Sequence, residues 1–235
     1  ITSQLTNDGG GGTLGVTIDG AATWILTNGA NSFTGTTTVS SGALGIGHDT
    51  AIGGAIAVSN GNVFAYGADR TIANAITLNN NANWGFVGDY SLTFTNASLG
   101  TSANSNTLGN SIVAGKSLTF QGLAVNGLNA NRSWTLDGPG ETVVSGVFST
   151  STAFGLSIVK TGNGTVTLGT NGATSNWNQA AAGIDLYRGT LKFTASNAIN
   201  SSASTFGGLT ISPEIATVDL NGTTQTINSL TATTD

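Results

Sequence analysis

Ile158-Val-Lys-Thr-Gly-Asn-Gly-Thr-Val-Thr-Leu168, taken together with Gly189-Thr-Leu-Lys-Phe193, decides how the rest of the chain is read. It scans as a short strand, a Gly-Asn-Gly turn, a second short strand and, after a connector, a third. Val and Thr favour pleated, half-buried surfaces. Gly and Asn tolerate the backbone angles of tight corners. Lys160 is expected to be an exterior charge. No helix follows the glycines, so the turn offers no helix N-terminus to a phosphate.

Outward from that stretch the pattern recurs. Thr23-Trp-Ile-Leu-Thr27, Thr36-Thr-Thr-Val-Ser40, Ala55-Ile-Ala-Val-Ser59, Ser91-Leu-Thr-Phe-Thr95, Ser117-Leu-Thr-Phe120 and Thr142-Val-Val-Ser145 are short runs broken by Gly, Asn or Asp. Alternation of this kind marks half-buried strands. Asn-Gly at Asn28-Gly29 and Asn60-Gly61 fits a hairpin, and it fits the corner of a solenoid equally. The tail also repeats the head. Ser41-Gly-Ala-Leu44 returns as Arg188-Gly-Thr-Leu191, and Ala51-Ile52 returns as Ala198-Ile199. A repeat this degenerate preserves a stacking shape, as in solenoids whose units bury their apolar faces against neighbours. Residues 101–111 and 170–182 lack alternation and are expected to be loops protruding from the body, the second with room for a short helical turn. No domain boundary is visible, so residues 1–235 are expected to form a single β-solenoid body cut from, or processed out of, a larger repetitive protein.

Composition narrows the function classes. Only 7% of the 235 residues are charged, against roughly 25% in an average domain, and polarity comes from Thr, Ser, Asn and Gly. The net charge is −5, and the six Lys and Arg are dispersed. That removes the basic face needed by nucleic-acid binders and by polybasic membrane anchors. No apolar run approaches the roughly 20 residues of a spanning helix. The chain has no Cys, which excludes disulfides and thiolate chemistry.

At this point the residues resemble a known family. Ile158–Leu168 with Gly189–Phe193 looks like the autotransporter-associated β-strand repeat, also called the passenger-associated transport repeat. Asn28-Gly-Ala-Asn-Ser-Phe-Thr-Gly-Thr-Thr-Thr-Val-Ser-Ser-Gly-Ala-Leu44 is closer still to the family's pattern of Gly-x-Asn-x-aromatic-Thr-Gly, Thr-Thr-Val and x-Gly-x-Leu. Strong matches cover about a third of the chain, and Ser175-Asn-Trp-Asn-Gln179 departs from the pattern. The resemblance implies an all-β, right-handed parallel β-helix passenger, exported by a Gram-negative bacterium and displayed or secreted. It implies no conserved catalytic residues. Rungs of about 20–25 residues predict roughly ten turns and a body on the order of 50 Å long at 4.8 Å per rung.

Candidate sites are few. Asp137 and Glu141 flank Gly138-Pro-Gly140 with Arg132 nearby; they read as a turn with a surface ion pair, or as the acids of a polysaccharide-degrading β-helix. His48 is the only histidine and reads as a turn residue, with Asp49 too close in sequence to orient it in a triad. Asp8 precedes Gly9–Gly12, whereas calcium-binding nonapeptide repeats place Asp after the glycines and in tandem, so this is expected to be a turn. Trp24, Trp84, Trp134 and Trp177, with Tyr66, Tyr90 and Tyr187, are the residues available for sugar stacking. Trp24 and Trp134 are expected in or near the core, and Trp177, in a polar loop, is the candidate contact. No catalytic, cofactor or metal residues are assigned, and the chain is expected not to be an enzyme.

The leading expectation is a structural or adhesive extracellular segment, surface-displayed or fibre-forming. Its expected partners are further copies of itself, end to end or laterally, or host and matrix glycans. A carbohydrate-binding or polysaccharide-degrading β-helix is the first alternative. A passive stalk of an autotransporter passenger is the second.

Overall fold

Alternation of Ile, Val and Leu with Thr and Ser, broken every few residues by Gly or Asn, leaves the backbone one economical solution. Short strands pair in parallel with the copy one turn away. The computed structural model shows this arrangement. It describes residues 1–79, 83–99, 106–125, 132–146, 148–150, 156–169, 182–198, 206–212, 215–227 and 229–233. Within these residues the structure is all-β without helix, and its strands form three parallel sheets stacked as a β-solenoid.

The long sheet runs from Thr23–Leu26 to Leu230–Ala232 and holds ten strands. A first lateral sheet, from Val16–Ile18 to Phe148–Thr150, holds seven, and a second, from Arg70–Ile72 to Ala216–Asp219, also holds seven. The chain visits the first lateral sheet, the long sheet and the second lateral sheet in that order. Paired residues lie between 19 positions apart, as Thr37 with Ile56, and 28 apart, as Asn106 with Trp134. The expectation of roughly ten rungs is somewhat high: the solenoid has about seven turns. Among the described residues, the second lateral sheet has no strand before Arg70, and the first has none after Thr150.

Register stacks like on like, so the core is a set of columns. Val16, Thr37, Ile56, Ile76, Ala97 and Leu123 form one in the first lateral sheet. Ile72, Phe94, Phe120, Val144, Leu168 and Phe193 form another in the second. Phe86 of the long sheet meets Phe94 and Phe120 edge-on, at ring-centroid distances of 6.0 and 6.1 Å. Offset and edge-to-face contacts of this kind add to plain area burial.

The Asn-x-aromatic segment of the family pattern acquires physical roles. Asn31 Oδ1 accepts the N–H of Leu5, and its Nδ2 donates to the carbonyl of Ala51 (2.7 Å). One side chain thus ties together three successive passes of the chain, while Phe33 fills the interior beside it. Asn74 repeats the device, donating to the carbonyls of Ile52 and Gly54. The Asp8 segment is a turn as expected: the Asp8 carboxylate accepts the N–H groups of Gly10 and Gly12.

One expected loop is largely strand. Asn106–Ile112 is a seven-residue strand of the long sheet, paired with Asn83–Gly88 on one side and Arg132–Asp137 on the other. Its alternation is hidden because an inward position carries Asn110, which is fully buried. Asn110 Nδ2 donates to the Glu141 carbonyl (2.8 Å) and to Thr142 Oγ1 (3.0 Å), and its Oδ1 accepts the N–H of Ile112. A buried amide with every group paired avoids the desolvation cost of an orphaned one. Of the second expected loop, residues 170–181 lie outside the described residues, while Ala182 already begins the strand Ala182–Leu186.

Candidate functional site

The corner that carries most of the predicted site residues joins the long sheet to the second lateral sheet. Arg132–Asp137 leads through Gly138-Pro-Gly140 into Glu141–Val144. One rung on, Leu156–Lys160 leads through Thr161-Gly-Asn-Gly164 into Thr165–Leu168. Asp137 is exposed, and its carboxylate accepts from Thr161 Oγ1 (3.2 Å). Glu141 is exposed as well, and its carboxylate accepts from Thr167 Oγ1 (3.2 Å). The two acids therefore take their hydrogen bonds from different residues on either side of the turn. Arg132 starts the strand that Asp137 ends. An extended backbone at about 3.3 Å per residue carries its Cα roughly 16 Å from that of Asp137.

Lys160 overturns the expectation of an exterior charge. It is 2% exposed and stands in an inward column between Leu136 and Leu186. Its strand alternates with Leu156 and Ile158 also inward. The ammonium donates to the carbonyl of Gly162 in the turn that immediately follows. Burial pulls its pKa down from the usual 10.5 to about 8, opposed by the charge of Asp137. Withdrawal from water disfavours the charged form. The sequence carried the signal for this: Lys160 keeps the period of two set by Leu156 and Ile158.

Aromatic residues divide sharply. Trp84 and Trp134 are in the core. Trp24, expected in or near the core, heads an inward column above Leu44 and Val63 but is 40% exposed, because its strand ends the long sheet. Tyr66 and Tyr187 are exposed, and Tyr90 is half-buried. Trp177 lies outside the described residues. His48 sits in a turn, where its Nδ1 accepts the N–H of Thr50 (3.2 Å). Among the described residues there is no group of three or more His, Asp or Glu placed to hold a metal ion.

Sequence reasoning did not find two surfaces. The first is the C-terminal end of the tube, where Phe193, Leu209, Val218, Ile227 and Leu230 line a cavity of about 260 Å³. Leu230 there is 63% exposed. The second is a lateral recess of about 530 Å³ that includes Phe64, Tyr66, Asp89 and Tyr90. Both depend on which rung lies over which, and that is invisible in the linear order of residues.

By its three in-register parallel sheets this chain is a β-solenoid. No family model, no curated protein and no solved structure matches it.

Proposed function

We propose that this chain is a structural, adhesive segment of an exported repetitive protein, displayed at a cell surface or built into a fibre, and that it is not catalytic. The autotransporter-associated repeat resemblance supports this reading. So do the low charge and the Thr-, Ser- and Asn-rich exterior, which keep a long surface wet without a strong field.

The open end of the tube is the observation that carries it. The last strands described leave apolar core uncovered at the cavity beside Leu230, and among the described residues the strand Leu230–Ala232 ends the long sheet with one edge unpaired in the ladder. At the opposite end the same sheet stops at Thr23–Leu26, where Ile1 bonds the Ile25 carbonyl and the Thr27 N–H along part of the edge while Trp24 stays exposed above its column. An unpaired parallel edge over an apolar surface is a template for one more rung. That rung comes from further repeats of the same polypeptide or from a second copy. A head-to-tail contact between copies does not close on itself and therefore grows as a filament.

Electron microscopy and sedimentation of the purified segment provide the test. Filaments or end-to-end oligomers that shorten on Leu230→Lys are the expected result. Monomers at all concentrations, with amides of Leu230–Ala232 protected from exchange by some other cover, would sink the fibre reading. The acids at 137 and 141 supply a separate check on the absence of catalysis. Depolymerisation of any polysaccharide, lost on Asp137→Asn or Glu141→Gln, would show that the corner is an active site.

A further inference from the structure

Where Asn62–Ala65 and Asn83–Gly88 pass the corner after the long sheet, their flanking residues leave a recess on the outer wall. Three aromatic side chains line it. Phe64 points outward from the sheet, and its ring lies across Gly45 of the preceding rung towards Ile25; a side chain at 45 would occupy the space of the ring. Tyr66 follows two residues later and is 47% exposed. Tyr90 stands on the next rung and is half-buried against the core. Gly67 and Gly88, both at positive φ, add no side chains to the space between them. The exposed carboxylate of Asp89 joins the lining beside the two phenols.

We propose that this recess binds a neutral pyranose oligosaccharide. The proposal rests on the adhesive part of the reading above and names the ligand class that part requires. A pyranose ring has an apolar C–H face and an equatorial rim of hydroxyls. Phenol and phenyl faces accept the first through dispersion and ring electrostatics. The Asp89 carboxylate accepts hydroxyl donors at the rim with charge-assisted hydrogen bonds. The volume of about 530 Å³ falls within the range of small-ligand sites. The recess is open to solvent, which leaves a chain of rings room to continue past it.

Charge selects a neutral ligand over an anionic one. Asp89 lines the site itself. The cations at the neighbouring corners are already engaged: Arg70 donates to the Tyr66 carbonyl and lies 3.9 Å from Asp49, and Lys116 lies 2.9 Å from Asp69. A uronate or sulfated glycan would meet uncompensated carboxylate. A small quaternary ammonium suits an aromatic site with an acid, but it needs enclosure on several sides, and this recess is open.

The experiment is a calorimetric titration of the purified chain with cello-, chito- and malto-tetraose. Oligogalacturonate and tetramethylammonium serve as contrasting probes. Binding of at least one neutral tetraose is expected, weakened about tenfold by Tyr66→Ala, the scale of an aromatic contact. Asp89→Asn is expected to weaken it severalfold. Tyr187→Ala, an exposed tyrosine on a later rung, is expected to leave it unchanged. All three positions are at the surface, and unchanged far-UV spectra confirm folding. No binding by any neutral tetraose overturns the proposal, as does binding unaffected by Tyr66→Ala, or binding by oligogalacturonate or tetramethylammonium alone. Filament formation is read separately by microscopy, so a chain that assembles but ignores sugars fails this proposal while keeping the structural reading.

Discussion

Two corners of the tube, Ser40–Gly42 near one end and Tyr187–Gly189 near the other, are built alike yet turn between different sheets. In the first, the N–H groups of Ser40 and Ser41 both donate to the Ile18 carbonyl, and Ala43 donates to Ala22. In the second, Tyr187 and Arg188 both donate to the Lys160 carbonyl, and Thr190 donates to Gly164. Gly42 has φ of 70° and Gly189 of 75°. A Cβ on either would collide with the carbonyl oxygens of the turn beneath it, Gly20 and Ala22 in one case, Gly162 and Gly164 in the other. Yet Gly42 leads from the first lateral sheet into the long sheet, whereas Gly189 leads from the long sheet into the second lateral sheet. The corner is a local device, indifferent to which pair of sheets it joins. The one disagreement is what fills the space below: Ile18, fully buried, stands where the other corner has Lys160.

This equivalence can be broken in order of expected effect. Ile18→Lys places an ammonium in a fully buried hydrocarbon site, where the nearby Asp19 carboxylate is already engaged by Ser41 and Gly20. A loss of about 4 kcal/mol is expected, read as a drop in the denaturant midpoint of the N-terminal rungs. Gly42→Ala and Gly189→Ala each force a side chain to positive φ against backbone. Each is expected to lose about 3 kcal/mol, and a difference of more than ~1 kcal/mol between them would show that the corners are not equivalent. Hydrogen exchange resolves the two, since stability in a solenoid is local.

Lys160→Ile converts the second corner to the first and should stabilise it by about 2 kcal/mol at pH 7. The pH dependence carries the sign. The folded pKa, about 8, lies below the ordinary 10.5, so the unfolded chain binds more protons between those values. Stability therefore rises with pH from about 8 to about 10.5, and the penalty is complete below 8. The rise should vanish in Lys160→Ile when the two proteins are compared across that window by chemical denaturation. A rise of equal size in both would place its origin in another group. The smallest effect belongs to Thr37, fully buried in the Val16–Ile56 column with its hydroxyl unpaired. Thr37→Val is expected to gain about 1 kcal/mol in thermal or denaturant unfolding.

The sequence made the corners legible because each is a contiguous run of residues. Ser41-Gly-Ala-Leu44 and Arg188-Gly-Thr-Leu191 announce themselves as the same turn, and the alternation around them announces strands. Lys160 defies expectation because an ammonium's preference for water argues for an exterior place, while the period of two in its strand points inward. Asn110 hid its strand for the converse reason: a polar residue in an inward slot erases the alternation that marks a strand. Of the recess, Tyr66 and Tyr90 stand among the sequence's candidates for sugar stacking, but their meeting with Phe64 and Asp89 is not legible. Those residues are far apart in the chain, and they meet only through a register set by the whole stack.

The long sheet alone runs the full length of the tube, and its outer face changes character along the way. Near its first strands the outward residues include the large apolar Ile25, Phe64 and Val87 beside Asn62 and Asn83; towards its last they include Ser157, Asp185, Thr210 and Thr231, with Val159 the one large apolar side chain among them. Ten strands at about 4.8 Å spread that change over roughly 43 Å. The rod therefore has a heading as well as a length. Two copies lying side by side in the same sense match greasy end to greasy end, while copies lying in opposite senses do not. A bundle of such rods would be polar, like a sheaf with all its heads at one end.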